Sequence, residues 1–178
     1  MRPPETFSTK RLVARKPRAI DAPAAFAAYA SDPEVTRYLA WKAYSEVSPF
    51  AEFLQARAED WEKVSPQYAY LLCLRGTDAP IGSIAVHFKG SNVLFAYVLG
   101  RAFWGRGLMS EALGYLVNWS LEQPLIFRAW AFCDTANPAS ARVMEKAGMT
   151  HEGVLRRWFP ASGFGPEPRD CFVYAKVK

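Results

Sequence analysis

Residues 95–112, Phe-Ala-Tyr-Val-Leu-Gly-Arg-Ala-Phe-Trp-Gly-Arg-Gly-Leu-Met-Ser-Glu-Ala, constrain this chain more than any other stretch. An apolar strand ends at Leu99 and passes through a glycine-rich turn, Gly100 to Gly107. It then runs straight into a helix from about Leu108 to Glu122, with Leu113, Leu116, Val117 and Leu121 on one face. Such a junction commits this half of the chain to helix-on-sheet packing. Gly105 and Gly107 let the backbone approach a ligand and turn its N–H groups inward. The helix start adds unpaired donors and the positive end of the dipole, and Arg106 adds a full charge. The combination makes a cradle for an anion such as a pyrophosphate. It is neither a dinucleotide fingerprint, since position 110 is Ser, nor a Walker loop, since no Gly-Lys-Ser/Thr follows.

The flanking sequence predicts a mixed α/β fold. Three strand-like runs, Tyr68 to Arg75, Ile81 to Lys89 and Val93 to Leu99, are separated by short turns and should form an antiparallel meander. Thr9 to Arg15 reads as an edge strand. Asp21 is expected to cap a short helix carrying Phe26 and Tyr29. Ser31-Asp32-Pro33-Glu34 has capping-box spacing, and Ser48-Pro49 opens a third helix with the stripe Phe50, Phe53, Leu54, Ala58 and Trp61. After the central helix come a β-run, Leu125 to Phe132, a helix from Asn137-Pro138 to Gly148, and strands near 152–159 and 170–177. No repeat or flexible linker interrupts residues 1–178, which are expected to form a single domain.

Composition narrows the function classes. Hydrophobic residues make up 51% and charged residues 22%, so the chain can bury a core and disorder is excluded. The formal charge of +5 suits an anionic ligand, but no dense basic stripe points to nucleic acid. Cys73, Cys133 and Cys171 form no Cys-x-x-Cys pair, so neither a zinc site nor another metal is expected, and the thiols should be buried. No apolar segment spans a membrane or resembles a secretory signal, so a cytoplasmic protein is expected.

A second feature follows the glycine turn by about thirty residues. Asn137-Pro138-Ala139-Ser140 opens a helix, placing an amide and a hydroxyl at its start. Trp104-Gly105-Arg106-Gly107-Leu108-Met109-Ser110-Glu111-Ala112-Leu113 followed by Asn137-Pro138-Ala139-Ser140-Ala141-Arg142-Val143-Met144-Glu145-Lys146-Ala147-Gly148-Met149 resembles the GNAT superfamily of acyl-CoA N-acyltransferases. Thr9-Lys10-Arg11-Leu12 and Asp32-Pro33-Glu34-Val35-Thr36-Arg37-Tyr38-Leu39 are similar to its ribosomal-protein N-terminal acetyltransferase branch.

The resemblance implies a GNAT-like, largely antiparallel sheet that splays at the acetyl-CoA site and is flanked by helices. It implies that the amides of Gly105, Arg106, Gly107, Leu108, Met109 and Ser110 hold the pyrophosphate. The pantetheine arm would pair with Tyr97, Val98 and Leu99 and meet Asn137 and Ser140, and a backbone N–H of Val98 or Leu99 would stabilise the oxyanion. Many members carry a Tyr four residues after the Ser position as proton donor. Here that residue is Met144, so Ser140 becomes the donor. Glu34 and Asp134 are candidate bases, with Glu46 and the two histidines less favoured. Glu111 reads as structural at its helix start. Trp41, Tyr44 and Trp158 are candidate walls of an acceptor pocket.

The leading acceptor is a protein or peptide N-terminal amine, with small amines such as amino acids, polyamines or antibiotics as the alternative. A wide acidic cleft would favour the first and a closed aromatic pocket the second. A non-catalytic acyl-CoA-binding module is the reading from another class. A monomer or a homodimer would fit equally.

Overall fold

The computed structural model describes residues 1–178 and holds one eight-stranded sheet in the order β1-β2-β3-β4-β5-β6-β8-β7. The strands are β1 (Thr6–Ser8), β2 (Leu12–Arg15), β3 (Gln67–Leu74), β4 (Pro80–Lys89), β5 (Asn92–Leu99), β6 (Arg128–Asp134), β7 (Thr150–Pro160) and β8 (Pro168–Val177). The helices are α1 (Ala22–Ala25), α2 (Pro33–Thr36), α3 (Val47–Glu59), α4 (Leu108–Glu122) and α5 (Pro138–Lys146). The meander β3-β4-β5 forms as expected. The sole parallel pair is β5 with β6, and it is short, running only from Asn92↔Arg128 to Leu94↔Trp130. Beyond Leu94 the two strands part, so the sheet splays at its centre.

Strand alternation sends successive side chains to opposite faces. Tyr68, Tyr70, Ile84, Val86 and Phe95 join the larger core beneath α4 and α5, with Leu113, Leu116 and Met144 fully buried. Leu71 faces the other side, where Tyr29, Phe50 and Leu54 of the N-terminal helical region pack in a smaller cluster. No helix is long and apolar enough to cross a membrane. The three cysteines are buried free thiols.

Several N-terminal expectations are corrected. The first predicted strand is a hairpin: Thr9 N donates to Leu12 O and Thr9 Oγ1 accepts from Leu12 N, which turns the chain and leaves β2 inside the sheet with β1 at the edge. Asp21 precedes α1, but its side chain caps nothing there, because Arg15 and Arg18 claim both carboxylate oxygens. Asp32 rather than Ser31 caps α2, accepting from Glu34 N at 2.9 Å. The Ser31 hydroxyl instead donates to Phe26 O. On α3 only Phe50 and Leu54 are buried. Trp61 lies past the helix end, where its Nε1 donates to Ala69 O. β6 starts at Arg128, with Leu125 and Phe127 left exposed before it.

Candidate functional site

The glycine turn has the conformation that its residues predict. Gly105 sits at φ +74° and Gly107, which precedes α4, at φ +71°, where an L side chain is strained. A Cβ on Gly105 would meet nothing within 4 Å, and one on Gly107 only Arg11 Nη2 at 3.7 Å. Backbone conformation therefore demands these glycines, and the space above them is open to a ligand. The bond from Glu111 N to Gly107 O (3.1 Å) is the first of α4, so the amides of Leu108, Met109 and Ser110 have no helical partner. The Leu108 and Met109 side chains are buried in the core, which anchors that first turn.

Arg11 braces the turn, donating Nη1 to Arg106 O (2.8 Å) and Nε to Glu111 Oε2 (2.7 Å). Burial alone would raise the Glu111 carboxyl, but hydrogen bonds from Thr9 and Arg11 outweigh it and hold the group below its ordinary value. Glu111 thus ties the β1–β2 turn to α4, as a structural residue should. Together, free amides, open space and a helix start fit a pyrophosphate.

The gap between β5 and β6 is the second part of the site. Gly100 N donates to Ile81 O (2.8 Å), so alternation along the antiparallel ladder turns the backbone groups of Val98 toward β4. Those of Tyr97 and Leu99 face the gap. Of the two oxyanion donors considered, the free edge therefore offers the Leu99 N–H, with that of Tyr97 beside it. The Tyr97 side chain reaches α5. Its Oη lies 2.7 Å from Ser140 Oγ and 3.2 Å from Ser140 O, and its single hydrogen serves one of the two. Burial pushes the Tyr97 hydroxyl well above the usual tyrosine range, only partly offset by Ser140.

Asn137 caps α5, its Oδ1 accepting from Ser140 N at 3.2 Å, with Pro138 in the first turn. Cys133 lies beside them, its thiol pushed up to about 12, chiefly by burial. The two candidate carboxylates stand apart from this centre. Asp134 ends β6, buried, with Oδ2 paired to Arg169 Nε and Oδ1 accepting from Ala136 N (2.8 Å). Glu34 is exposed on α2, 4.0 Å from Arg37.

On the opposite face a cavity of about 280 Å³ reaches β5 at Ala96, Tyr97 and Val98. Its floor is Ala69, Leu71, Ser83, Ala85 and His87, and its walls include Phe50, Phe53, Leu54 and Arg57 of α3 with Leu39 and Trp41. Neither Glu34 nor Asp134 lines it, nor does any other carboxylate. Trp41 lines this cavity. Tyr44 supports it from behind (ring centroids 5.6 Å apart), whereas Trp158 lies away on β7 against Phe132.

The polar end was not legible beforehand, apart from His87 as an isolated residue. Arg57 Nε is 3.0 Å from Asp60 Oδ2, near enough to pair but misaligned for a hydrogen bond. With its amide oxygen assigned toward Arg57, Gln67 accepts from Nη1 at 2.6 Å. Burial, with the charge of Arg57 adding to it, lowers the His87 pKa, so the ring is neutral near pH 7. The signal for Arg57 was its place on α3, three residues after Leu54 and four after Phe53. A separate open cleft of about 670 Å³ borders the end of β6 and includes Thr135, Arg157, Phe164 and Arg169.

Comparison with known proteins agrees with this geometry. Residues 11–150 match the family model described as an acetyltransferase (GNAT) domain. The chain is 30% identical over 175 residues to the uncharacterized N-acetyltransferase YoaA of Bacillus subtilis (strain 168), covering 97% of this chain and 96% of that one. Among solved structures, the microcin C7 self-immunity acetyltransferase MccE, in complex with acetyl-CoA and AMP, superposes with a TM-score of 0.83. The identity is 19%, over 95% of this chain and 93% of that one. RimL, a ribosomal L7/L12 α-N-protein acetyltransferase in complex with coenzyme A, gives a TM-score of 0.82 at 20% identity, over 97% and 98% of the two chains.

Proposed function

The chain belongs to the GNAT acetyltransferase family, and from that premise we propose that residues 1–178 act as one catalytic domain that moves an acetyl group from acetyl-CoA to a small primary amine with an apolar body. The observation that carries the choice of acceptor is the largely apolar, aromatic-walled cavity that reaches β5 and is lined by no carboxylate. A polyamine or other polycation would bury charge there without a partner, at a cost of several kcal/mol. An apolar amine loses little, and desolvation favours its neutral, nucleophilic form.

In this reading the amides from Gly105 to Ser110 hold the pyrophosphate of acetyl-CoA. The pantetheine arm runs along the free edge of β5 past Asn137. The amine approaches from the cavity side and attacks the thioester carbonyl. The C–N bond forms, the developing oxyanion takes a hydrogen bond from the Leu99 N–H, and the C–S bond breaks. Ser140 gives its proton to the departing sulfur. Tyr97, kept protonated by its burial, donates to Ser140 Oγ and so orients the Ser140 hydroxyl toward the leaving group. The nitrogen releases its proton to solvent and Ser140 takes one back from solvent, so the proton that ends on sulfur is balanced and the hydroxyl is restored. Glu34 and Asp134 are assigned no step, the first being exposed and the second held by Arg169.

A second reading, transfer to a protein N-terminal amine, is favoured by the open cleft beside the end of β6 and by the activity of the RimL neighbour on ribosomal L7/L12. Release of coenzyme A, followed with a thiol reagent, separates the two. Arylalkylamines and aliphatic amines should be acetylated, while spermidine and peptides with a free N-terminal Ser or Ala should not. Turnover of the peptides alone would replace the small-amine reading with the second.

A further inference from the structure

We propose that the acceptor carries a carboxylate remote from its amine, and that Arg57 receives this group at the far end of the cavity. The inference rests on the small-amine reading and adds to it the chemistry of the other end of the substrate.

Sheet register gives the cavity a direction. Ser83 pairs with Val98, in the stretch of β5 whose opposite edge is free and where the thioester would lie. Gln67 pairs with His87 four residues further along β4. At about 3.3 Å per residue these two ends are roughly 13 Å apart. Between them the floor is Ala69, Leu71 and Ala85, which offer no polar side-chain group. At the far end the wall becomes polar, with Arg57, Gln67 and His87 together.

At that end only the positive member of an ion pair faces the cavity. Arg57 is ion-paired to Asp60, but only the arginine lines the cavity, and the Asp60 side chain is 9% exposed behind it. The pair is imperfect, since the buried Nε has no aligned acceptor. The guanidinium also rests over the Phe53 ring, 5.4 Å from its centroid, so it is held against the cavity wall. His87 is neutral and contributes no competing charge, its pKa lowered by burial. A guanidinium at one end of an otherwise apolar slot selects a carboxylate by charge-assisted hydrogen bonds and disfavours a second ammonium.

The test uses two probes of closely similar shape, 4-(4-aminobutyl)benzoate and 4-phenylbutylamine, on the protein of residues 1–178. Calorimetric titration into the protein saturated with coenzyme A reads binding without turnover, and acetyl-CoA assays read kcat/KM. The wild-type protein should favour the benzoate by about tenfold in both. An Arg57→Gln/Asp60→Asn double variant removes both charges, so no buried carboxylate is left unpaired, and its thermal melt verifies folding. In that variant the preference should vanish. Equal binding of the two probes to the wild type, no binding of either, or a preference that survives in the folded variant would each overturn the assignment to Arg57. Equal acetylation of both probes would leave the small-amine reading standing and remove this one. Arg57-dependent binding without acetylation of either would do the reverse.

Discussion

Replacing Tyr97 by Phe isolates the proton-donating half of the mechanism. The ring stays where it is, and a single hydroxyl disappears, together with its contacts to Ser140 Oγ at 2.7 Å and Ser140 O at 3.2 Å. In the proposed mechanism the buried Tyr97 gives its one hydrogen to Ser140 Oγ, so the Ser140 hydroxyl accepts there and keeps its own hydrogen for the sulfur. Without that partner the Ser140 hydroxyl is free to turn back to a carbonyl of the preceding turn. A neutral hydrogen bond of this kind contributes about 0.5–1.5 kcal/mol. Expressed wholly in the transition state, that is about a 2- to 13-fold loss in kcat.

The cradle on α4 is untouched, so the Kd for acetyl-CoA should hold. The assay is steady-state release of coenzyme A at saturating acceptor, with Kd measured by calorimetry, for Tyr97→Phe, Ser140→Ala and the double variant. Because Tyr97 acts through Ser140, the double variant should be no slower than Ser140→Ala. Additive losses would refute the coupling. So would a weakened acetyl-CoA complex with kcat unchanged, since a residue that only shapes the thioester pocket would behave that way.

Three further outcomes follow from the same geometry. Gly107→Glu imposes a side chain at φ +71° and brings a negative charge to the phosphate cradle, so calorimetry should show acetyl-CoA affinity falling by at least about tenfold. Ala85→Phe fills the cavity floor; apolar amines should lose at least about tenfold in kcat/KM while the Kd for acetyl-CoA stays within about twofold, and equal activity would place the acceptor elsewhere. Asp21 is 4% exposed, and although burial opposes it, hydrogen bonds from Arg15 and Arg18 hold its pKa at about 2 against an ordinary 3.8. A depressed carboxyl stabilises the fold above pH 3.8 and loses that contribution as pH falls toward 2, about 2 kcal/mol in all. Asp21→Asn should therefore unfold at lower urea at pH 7, with the difference from wild type shrinking below pH 3.8.

The cofactor half of the site was legible because its chemistry is local. Gly105, Gly107, Asn137 and Pro138 dictate backbone conformation within a few residues, and the structure returns that conformation at each. The acceptor half depends on pairing across the sheet. Gln67 meets His87 only through the β3–β4 register, and Arg57 joins them from α3 through the packing of that helix on the sheet, so no spacing in the sequence announces the group. Polar caps failed for a related reason. Asp21 and Ser31 have short side chains with several partners in reach, and Arg15 at the end of β2, Arg18 just past it and the Phe26 carbonyl took them.

Residues 96–99 join the two halves. Alternation sends Ala96 and Val98 to the cavity and Tyr97 to Ser140, while the short pairing of β5 with β6 leaves the Tyr97 and Leu99 amides on a free edge. In the proposed reaction one strand therefore faces the acceptor on one side, the leaving group on the other, and the carbonyl along its edge. A one-residue shift of β5 against β4 would exchange the two faces and separate the substrates. The register that pairs Ser83 with Val98 is thus as much a part of the proposed catalytic arrangement as Ser140.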